Sequence, residues 1–473
     1  MGRKRRKRNN LKTNTRVSEV SLHIDVAVEL DKALSSHQNG NLQQAEERYR
    51  QILKANPQNE DALHFLGILV FQLGQYDTAS DLICQAIKLN PEQSSFFDSL
   101  GTVLKAQQDT EKAMKAYYRA LEIDPNNFKT YNNIGVLLQE VGKYQESIQV
   151  LHKAIEINPK YDEAIYNLGL VLQTQGSLEE SIQTYSRVIR INPNYVVAYN
   201  NLGNVLKELG EFQKAVSCYE KAIQIQPGYV DAHNNLGAAF SDLGEFQKAV
   251  SCYKQVIQMQ PDYADAYSNL GVALQKQGRL EESIDAYQQT IRLRPDHADA
   301  YSNLGIALQE QGRSEESIKA YQQAIHLQSN HVEAYNNLGM VLEEQGKLEE
   351  SIKAYQQAIH LRPDYAVAYS NLGATLRKQG RFEEAIKSYQ QAICFQPDYA
   401  DAYSNLIFTQ DFHLDIDLKE QQAERQKWNQ RFILPLANSI QSHPNDRNLE
   451  RLLKIGYVSA DFKRHSAAQG FGQ

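Results

Sequence analysis

The chain has 473 residues and a formal net charge of −7, with a mean hydropathy of −0.56. It contains no run of about 18 apolar residues, so no membrane-spanning helix is expected. Charge is unevenly spread: residues 1–16 carry eight Lys/Arg and no acid, which leaves 42 bases against 57 acids, or −15, for the rest. A body so acidic has no basic footprint for nucleic acid.

The first 25 residues form a basic tail, with Arg3, Lys4, Arg5, Arg6, Lys7 and Arg8 in one run. No apolar segment follows it, so it is not a secretory signal. Met1-Gly2 invites acylation, but Arg6 stands where that signal wants Ser or Thr. Two readings stay open for the tail: a solvated disordered segment, or a contact for anionic surfaces or an import receptor.

From residue 26 to 399 the chain repeats with a period of 34. The stretch D-A-Y-S-N-L-G-V-A-L-Q-K-Q-G-R-L-E-E-S-I-D-A-Y-Q-Q-T-I begins at Asp265, and its next copy begins at Asp299. One glycine recurs at Gly67, Gly101, Gly135 and every 34 residues to Gly373. A second, seven residues later, runs from Gly40 to Gly380 with Gln108 as its one gap. A proline closes each unit from Pro57 to Pro397, with Ser329 as the one substitute; ten of the chain's 12 prolines share this phase. Such a fixed period is the signature of a repeat array of eleven units.

Each unit reads as two helices. In the unit from residue 264, Tyr267, Leu270, Gly271 and Leu274 fall on one helical face. Gly278 then supplies a left-handed turn. Ser283, Ile284, Tyr287 and Ile291 give the face of a second helix, and Pro295 ends it. Glycine inside a helix costs roughly 1 kcal/mol against alanine, so Gly271 marks a place where the partner helix must come very close. The tyrosines Tyr287, Tyr321, Tyr355 and Tyr389 recur at core phase. Glu281-Glu282 and Glu349-Glu350 open second helices, where acids suit the positive helix end. The pattern resembles the tetratricopeptide repeat, which implies an all-α, right-handed superhelical solenoid whose first helices line a concave groove.

One polar position stands out. Asn133, Asn167, Asn201, Asn235, Asn269, Asn303, Asn337, Asn371 and Asn405 each lie two residues before the phase of the first glycine, in nine consecutive units. The resemblance places them on the concave surface. A carboxamide carries two donors and an acceptor, so it can bond the N–H and C=O of an extended polypeptide without reading its sequence. Helices about 8–10 Å apart and an extended chain advancing about 3.3–3.6 Å per residue would let this ladder grip about every third residue. The alternative is shared ancestry: near-identical units duplicate an asparagine whether or not it works.

Cys84, Cys218, Cys252 and Cys394 form no C-x-x-C pair and have no histidine at metal spacing. No metal and no cofactor is expected. Cys218 and Cys252 share a repeat position and read as small core residues. The chain reads as cytoplasmic and reduced.

Past Pro397 a twelfth first helix begins at Asp401, and Ile407 then replaces the glycine. Residues 400–434 are expected to hold capping and linker helices, with one long helix from Leu418 through Trp428 and Phe432 that Pro435 ends. Residues 435–451 read as a linker. Residues 452–473 open on a buried strand, Ile455–Ser459, followed by Asp461, Phe462 and His465.

The order of these parts resembles the O-linked N-acetylglucosamine transferase family, including its SPINDLY-type and bacterial relatives. That resemblance implies that residues 452–473 begin a Rossmann-like lobe of a GT-B glycosyltransferase, with His465 as its catalytic-cleft histidine. It also implies a nucleotide-sugar donor, Ser/Thr acceptors on proteins and no metal. Eight residues follow His465, so the chain is expected to lack most of the catalytic part and to be inactive alone. Two functions follow: an arm that recruits protein substrates to such a transferase, or a free-standing adapter that binds polypeptides in its groove.

Overall fold

The computed structural model describes residues 25–412 and 417–437. The basic segment 1–24, the linker residues 438–451, the expected strand Ile455–Ser459 and His465 lie outside the described residues. Every described element is helical. No described helix is long and apolar enough to cross a membrane.

Eleven helix pairs follow one another at the 34-residue period, each with a first helix of 13 residues and a second of 14. Repeat 1 spans 26–59, and the numbering proceeds to repeat 11 at 366–399. In repeat 8 the pair is Ala264–Lys276 and Leu280–Leu293. The turn between them places Gly278 at φ +72°, where its N–H bonds back to the Gln275 carbonyl at 2.9 Å. That left-handed geometry ends the first helix at little steric cost. Gln108 takes the same turn at φ +64° without being glycine.

The first glycine does what its helix-breaking cost demands. A Cβ built on Gly271 would lie 2.6 Å from the Tyr287 ring, far inside van der Waals contact. Repeats 3 and 5 to 11 set a tyrosine against the glycine; repeats 2 and 4 use Ile83 and Leu151. These tyrosines are the largest fully buried side chains. In several repeats a serine clasps the same pair from the second helix. Ser147, Ser181, Ser283, Ser317 and Ser351 donate to the carbonyls of Gly135, Gly169, Gly271, Gly305 and Gly339 at 2.6–2.9 Å. Each serine is fully buried, so each bond is worth on the order of 1 kcal/mol.

The chain divides into two compact units, residues up to Pro295 and residues from Asp296 onward. The first holds repeats 1–8, with a core running through Tyr185, Tyr219 and Tyr253. The second holds repeats 9–11 and the helices after them, with Tyr321, Tyr355 and Tyr389 at its centre.

The twelfth first helix is present at Ala400–Asp411. The helix beyond it departs from expectation. It runs Leu418–Trp428, widens into a π turn at Asn429–Ile433, and continues as Leu434–Ala437. Pro435 therefore lies inside the run instead of ending it. The wider turn just upstream relieves the clash of the proline ring with the preceding turn, and the run gives up one N–H bond at this position.

Candidate polypeptide-binding face

All nine ladder asparagines sit on first helices, and all nine are half-buried. The structure adds what the repeat pattern does not show: most of them are already bonded. Asn133 Nδ2 donates to Asp98 Oδ1 at 3.1 Å, Asn167 to Asn132 at 2.8 Å, and Asn201 to the Tyr166 hydroxyl at 2.9 Å. Asn235 donates to Asn200 at 3.0 Å and Asn269 to Asn234 at 3.2 Å. In the second unit Asn371 donates to Asn336 at 3.1 Å. Each step spans 35 residues, from a ladder asparagine to the residue just before the ladder position of the preceding repeat. His64 and Ser99 begin the same series at 2.8 Å. Six unbroken steps therefore tie the first helices of repeats 2 to 8 together.

These bonds orient the carboxamides. Where the acceptor is the Asp98 carboxylate, only the amide nitrogen can face it. One N–H is then committed to the neighbouring helix, and the carbonyl oxygen and the second N–H remain. In Asn201 and Asn337 the oxygen also accepts from the adjacent Asn200 and Asn336 at 3.3 Å, which leaves it one lone pair. Six of the nine ladder amides are thus tied to the preceding repeat by the scaffold. Burial raises the Asp98 carboxyl above its usual range, while donation by Thr130 and Asn133 holds it back. Burial alone drives His64 down to about 4.

Two further rows flank the ladder. Three residues after the asparagines, one helical turn on, stand Val136, Leu170, Val272, Ile306, Met340 and Phe408, all half-buried or exposed. Near the far end of the first helices, a second tier of polar links repeats the 35-residue offset. His37 meets Gln72 at 3.0 Å, Lys105 meets Glu140 at 2.8 Å, Gln309 donates to Glu344 at 2.9 Å and Lys378 meets Glu343 at 2.5 Å. Both rows have a signal in the chain itself: an apolar residue regularly follows the asparagine by three, and opposite charges recur about 35 apart.

Paired helices at a 34-residue pitch, repeated eleven times with a left-handed turn in each, and the glycine–tyrosine contact in eight of them decide the family. The chain is a tetratricopeptide-repeat array. Tetratricopeptide repeat models match residues 36–98, 101–142, 140–176 and 162–195. A model described as the cilia and flagella-associated protein 70 C-terminal domain matches residues 191–405. No curated protein matches the chain. Among solved structures, MamA is 28% identical over 35% of this chain and 96% of its own, with a TM-score of 0.33. YrrB, described as a tetratricopeptide protein with an unusual peptide-binding site, is 20% identical over 39% of this chain and 95% of its own, at 0.34. The Cut9-Hcn1 hetero-tetramer is 15% identical over 86% of this chain and 92% of its own, at 0.43. Scores this low transfer no site from any of the three.

The array's four cysteines are free, and Cys252 is buried. Burial pushes the Cys218 and Cys252 thiols up to about 11, which fits inert packing residues.

Proposed function

We propose that the array is a protein-interaction scaffold that holds an extended polypeptide along its first helices, with Asn133, Asn167, Asn201, Asn235, Asn269, Asn303, Asn337, Asn371 and Asn405 bonding the ligand's main chain. The supporting observation is that the 35-residue links tie six of these nine carboxamides to the preceding repeat. Amides held in place before binding lose little rotamer entropy on binding, so their bonds contribute more to affinity. The apolar row beside them would take side chains of the ligand, giving weak sequence preference over a sequence-blind main-chain grip.

A random 12-residue peptide selection against the full chain supplies a defined ligand. Asn235, Asn269, Asn303 and Asn337 changed together to Ala should then weaken it at least tenfold. Asn200→Ala with Asn234→Ala removes acceptors of the scaffold links and leaves those four ladder residues in place. If only the scaffold matters, the two sets will reduce thermal stability alike and neither folded variant will lose affinity.

A more specific reading makes the array the recruiting arm of a protein O-glycosyltransferase of the O-linked N-acetylglucosamine type. It rests on the run Ile455-Gly456-Tyr457-Val458-Ser459 with Asp461, Phe462 and His465. In this division of labour the array binds the acceptor protein, so a protein substrate of such a transferase should bind the chain, and changing Asn235, Asn269, Asn303 and Asn337 together to Ala should weaken that binding at least tenfold. Unchanged binding would overturn it.

A further inference from the structure

Repeat 2 departs from its neighbours at three linked positions. Elsewhere the buried tyrosine of the second helix sends its hydroxyl to one of two places on the first helix. Tyr185 and Tyr287 donate to Gln173 and Gln275, four residues after the first glycine of the repeat, at 3.1 and 3.2 Å. Tyr219 donates to Asn204 at 2.8 Å and Tyr117 meets Thr102 at 3.3 Å, one residue after that glycine. In repeat 2, Ile83 stands in place of the tyrosine, and Ile68 and Phe71 hold the two polar positions. Ring and hydrogen-bond partners are exchanged together for apolar groups. Repeat 4, which sets Leu151 against its glycine, keeps a polar residue, Gln139, at the second position.

The exchange coincides with a pocket of about 180 Å³ between the first helices of repeats 2 and 3, Glu60–Gln72 and Ser94–Ala106. Ile83 and Val103 are buried behind it, while Ile68, Phe71, Ser99 and Thr102 are half-buried at its mouth. It opens on the ladder face: Ser99 holds the ladder position of repeat 3, and Ile68 and Thr102 hold the phase of the apolar row. The polar side chains that line it are already engaged. Ser99 meets His64 at 2.8 Å, Thr102 donates to the Asp98 carbonyl at 3.1 Å, and Gln72 meets His37 at 3.0 Å. A polar ligand would gain little here. A cavity of about 150 Å³ lined by Leu, Ile and Phe admits benzene, so this pocket has the capacity for one six-membered ring.

We infer that the pocket takes the phenyl ring of a Phe in a polypeptide that lies along the ladder face, so that the ligand supplies the ring which the second helix of repeat 2 lacks. The inference rests on the polypeptide-binding reading of the ladder and adds a side-chain preference to it. The pocket lies before the repeat of Asn133, so a Phe seated there would set the register of the main chain on the amides that follow. It also separates Phe from Tyr. A ring entering from the ladder face points its para position toward Ile83, and a hydroxyl there would be buried among apolar side chains.

The first test uses the full chain with isoleucine methyl groups labelled for NMR, and small amides in place of a polypeptide. N-acetyl-phenylalaninamide should shift the Ile68 and Ile83 signals saturably by ring current and leave Ile318, in repeat 9, unmoved. N-acetyl-tyrosinamide should do so with about tenfold lower affinity, and N-acetyl-alaninamide not at all. The second test places Phe, Tyr or Ala at each position of the selected 12-residue peptide in turn; at one position Phe should bind at least tenfold tighter than Ala. Ile83→Phe restores the ring from the scaffold side, as eight other repeats have it against their glycine. It should abolish both the Ile68 shift and the Phe preference without lowering the thermal midpoint. Should that variant fail to fold, the amide titration of the unaltered chain still decides. Ile68 and Ile83 signals that do not move with N-acetyl-phenylalaninamide would overturn the pocket and leave the ladder standing. Equal affinity for the Phe and Tyr amides would contradict the ring's orientation. Methyl shifts without any peptide bound would overturn the ladder, and with it the polypeptide as the source of the ring.

Discussion

Single residues depart from the repeat pattern in informative ways. Gln108 holds φ +64° where its counterparts are glycine. A side chain in that region costs roughly 1–2 kcal/mol, partly offset by the greater freedom glycine has when unfolded. Gln108→Gly should therefore stabilise repeat 3 by about 1 kcal/mol, read as a higher urea midpoint; an unchanged or lower midpoint would show that the turn is relaxed. His64 is a second case. Its imidazole is 4% exposed, bonded to Ser99 and set against Phe65 and Phe96, and burial lowers it from 6.5 to about 4. Since the folded state resists protonation, the unfolded state binds more protons between those two values. His64 thus contributes fully above pH 6.5, and stability falls as pH drops from about 6.5 toward 4, by on the order of 3 kcal/mol at most. His64→Gln should flatten that part of the stability-pH curve. An identical slope in the variant would place the effect elsewhere.

At the scale of the helix pair, the decisive contact is glycine against a buried ring. Gly271→Ala gains helix propensity of about 1 kcal/mol but forces a Cβ to within 2.6 Å of Tyr287. Overpacking of a tight core costs typically about 1–3 kcal/mol, so the net effect should be a loss of about 1–2 kcal/mol. Hydrogen exchange should quicken in Ala264–Lys276 and Leu280–Leu293 before it does in distant repeats, because each unit of such an array leans chiefly on its neighbours. Protection lost evenly along the chain would contradict this. These pairs are legible in the sequence because their signals are local: glycine for the turn and the close approach, proline for the stop, an apolar face at helical spacing. The 35-residue links are harder to read, since each joins Asn167 to Asn132 or Asn235 to Asn200 across a repeat and depends on how neighbouring helices align. Their trace in the sequence is the polar residue that precedes most ladder asparagines. Pro435 defeats a local reading for a related reason: proline alone says stop, while the π turn at Asn429–Ile433 that accommodates it is set by packing, not by local pattern.

At the scale of the molecule, the ladder has two claims on it. Its hydrogen bonds from repeat to repeat are a structural role sufficient to keep the asparagines, and this is the role the geometry displays. The polypeptide-binding role uses the amide donors and oxygen lone pairs that those bonds leave over, beside a row of apolar side chains. The two are compatible because the first prepares the second. The measurement that separates these claims most directly compares a selected 12-residue peptide with its derivatives. One derivative carries N-methyl groups on every third main-chain amide, in each of the three possible phases; the other keeps the amides and scrambles the polar side chains. Main-chain recognition predicts at least a tenfold loss of affinity for one phase of methylation and less than a threefold change on scrambling. Equal affinity for all three methylated phases, with binding lost on scrambling, would contradict it.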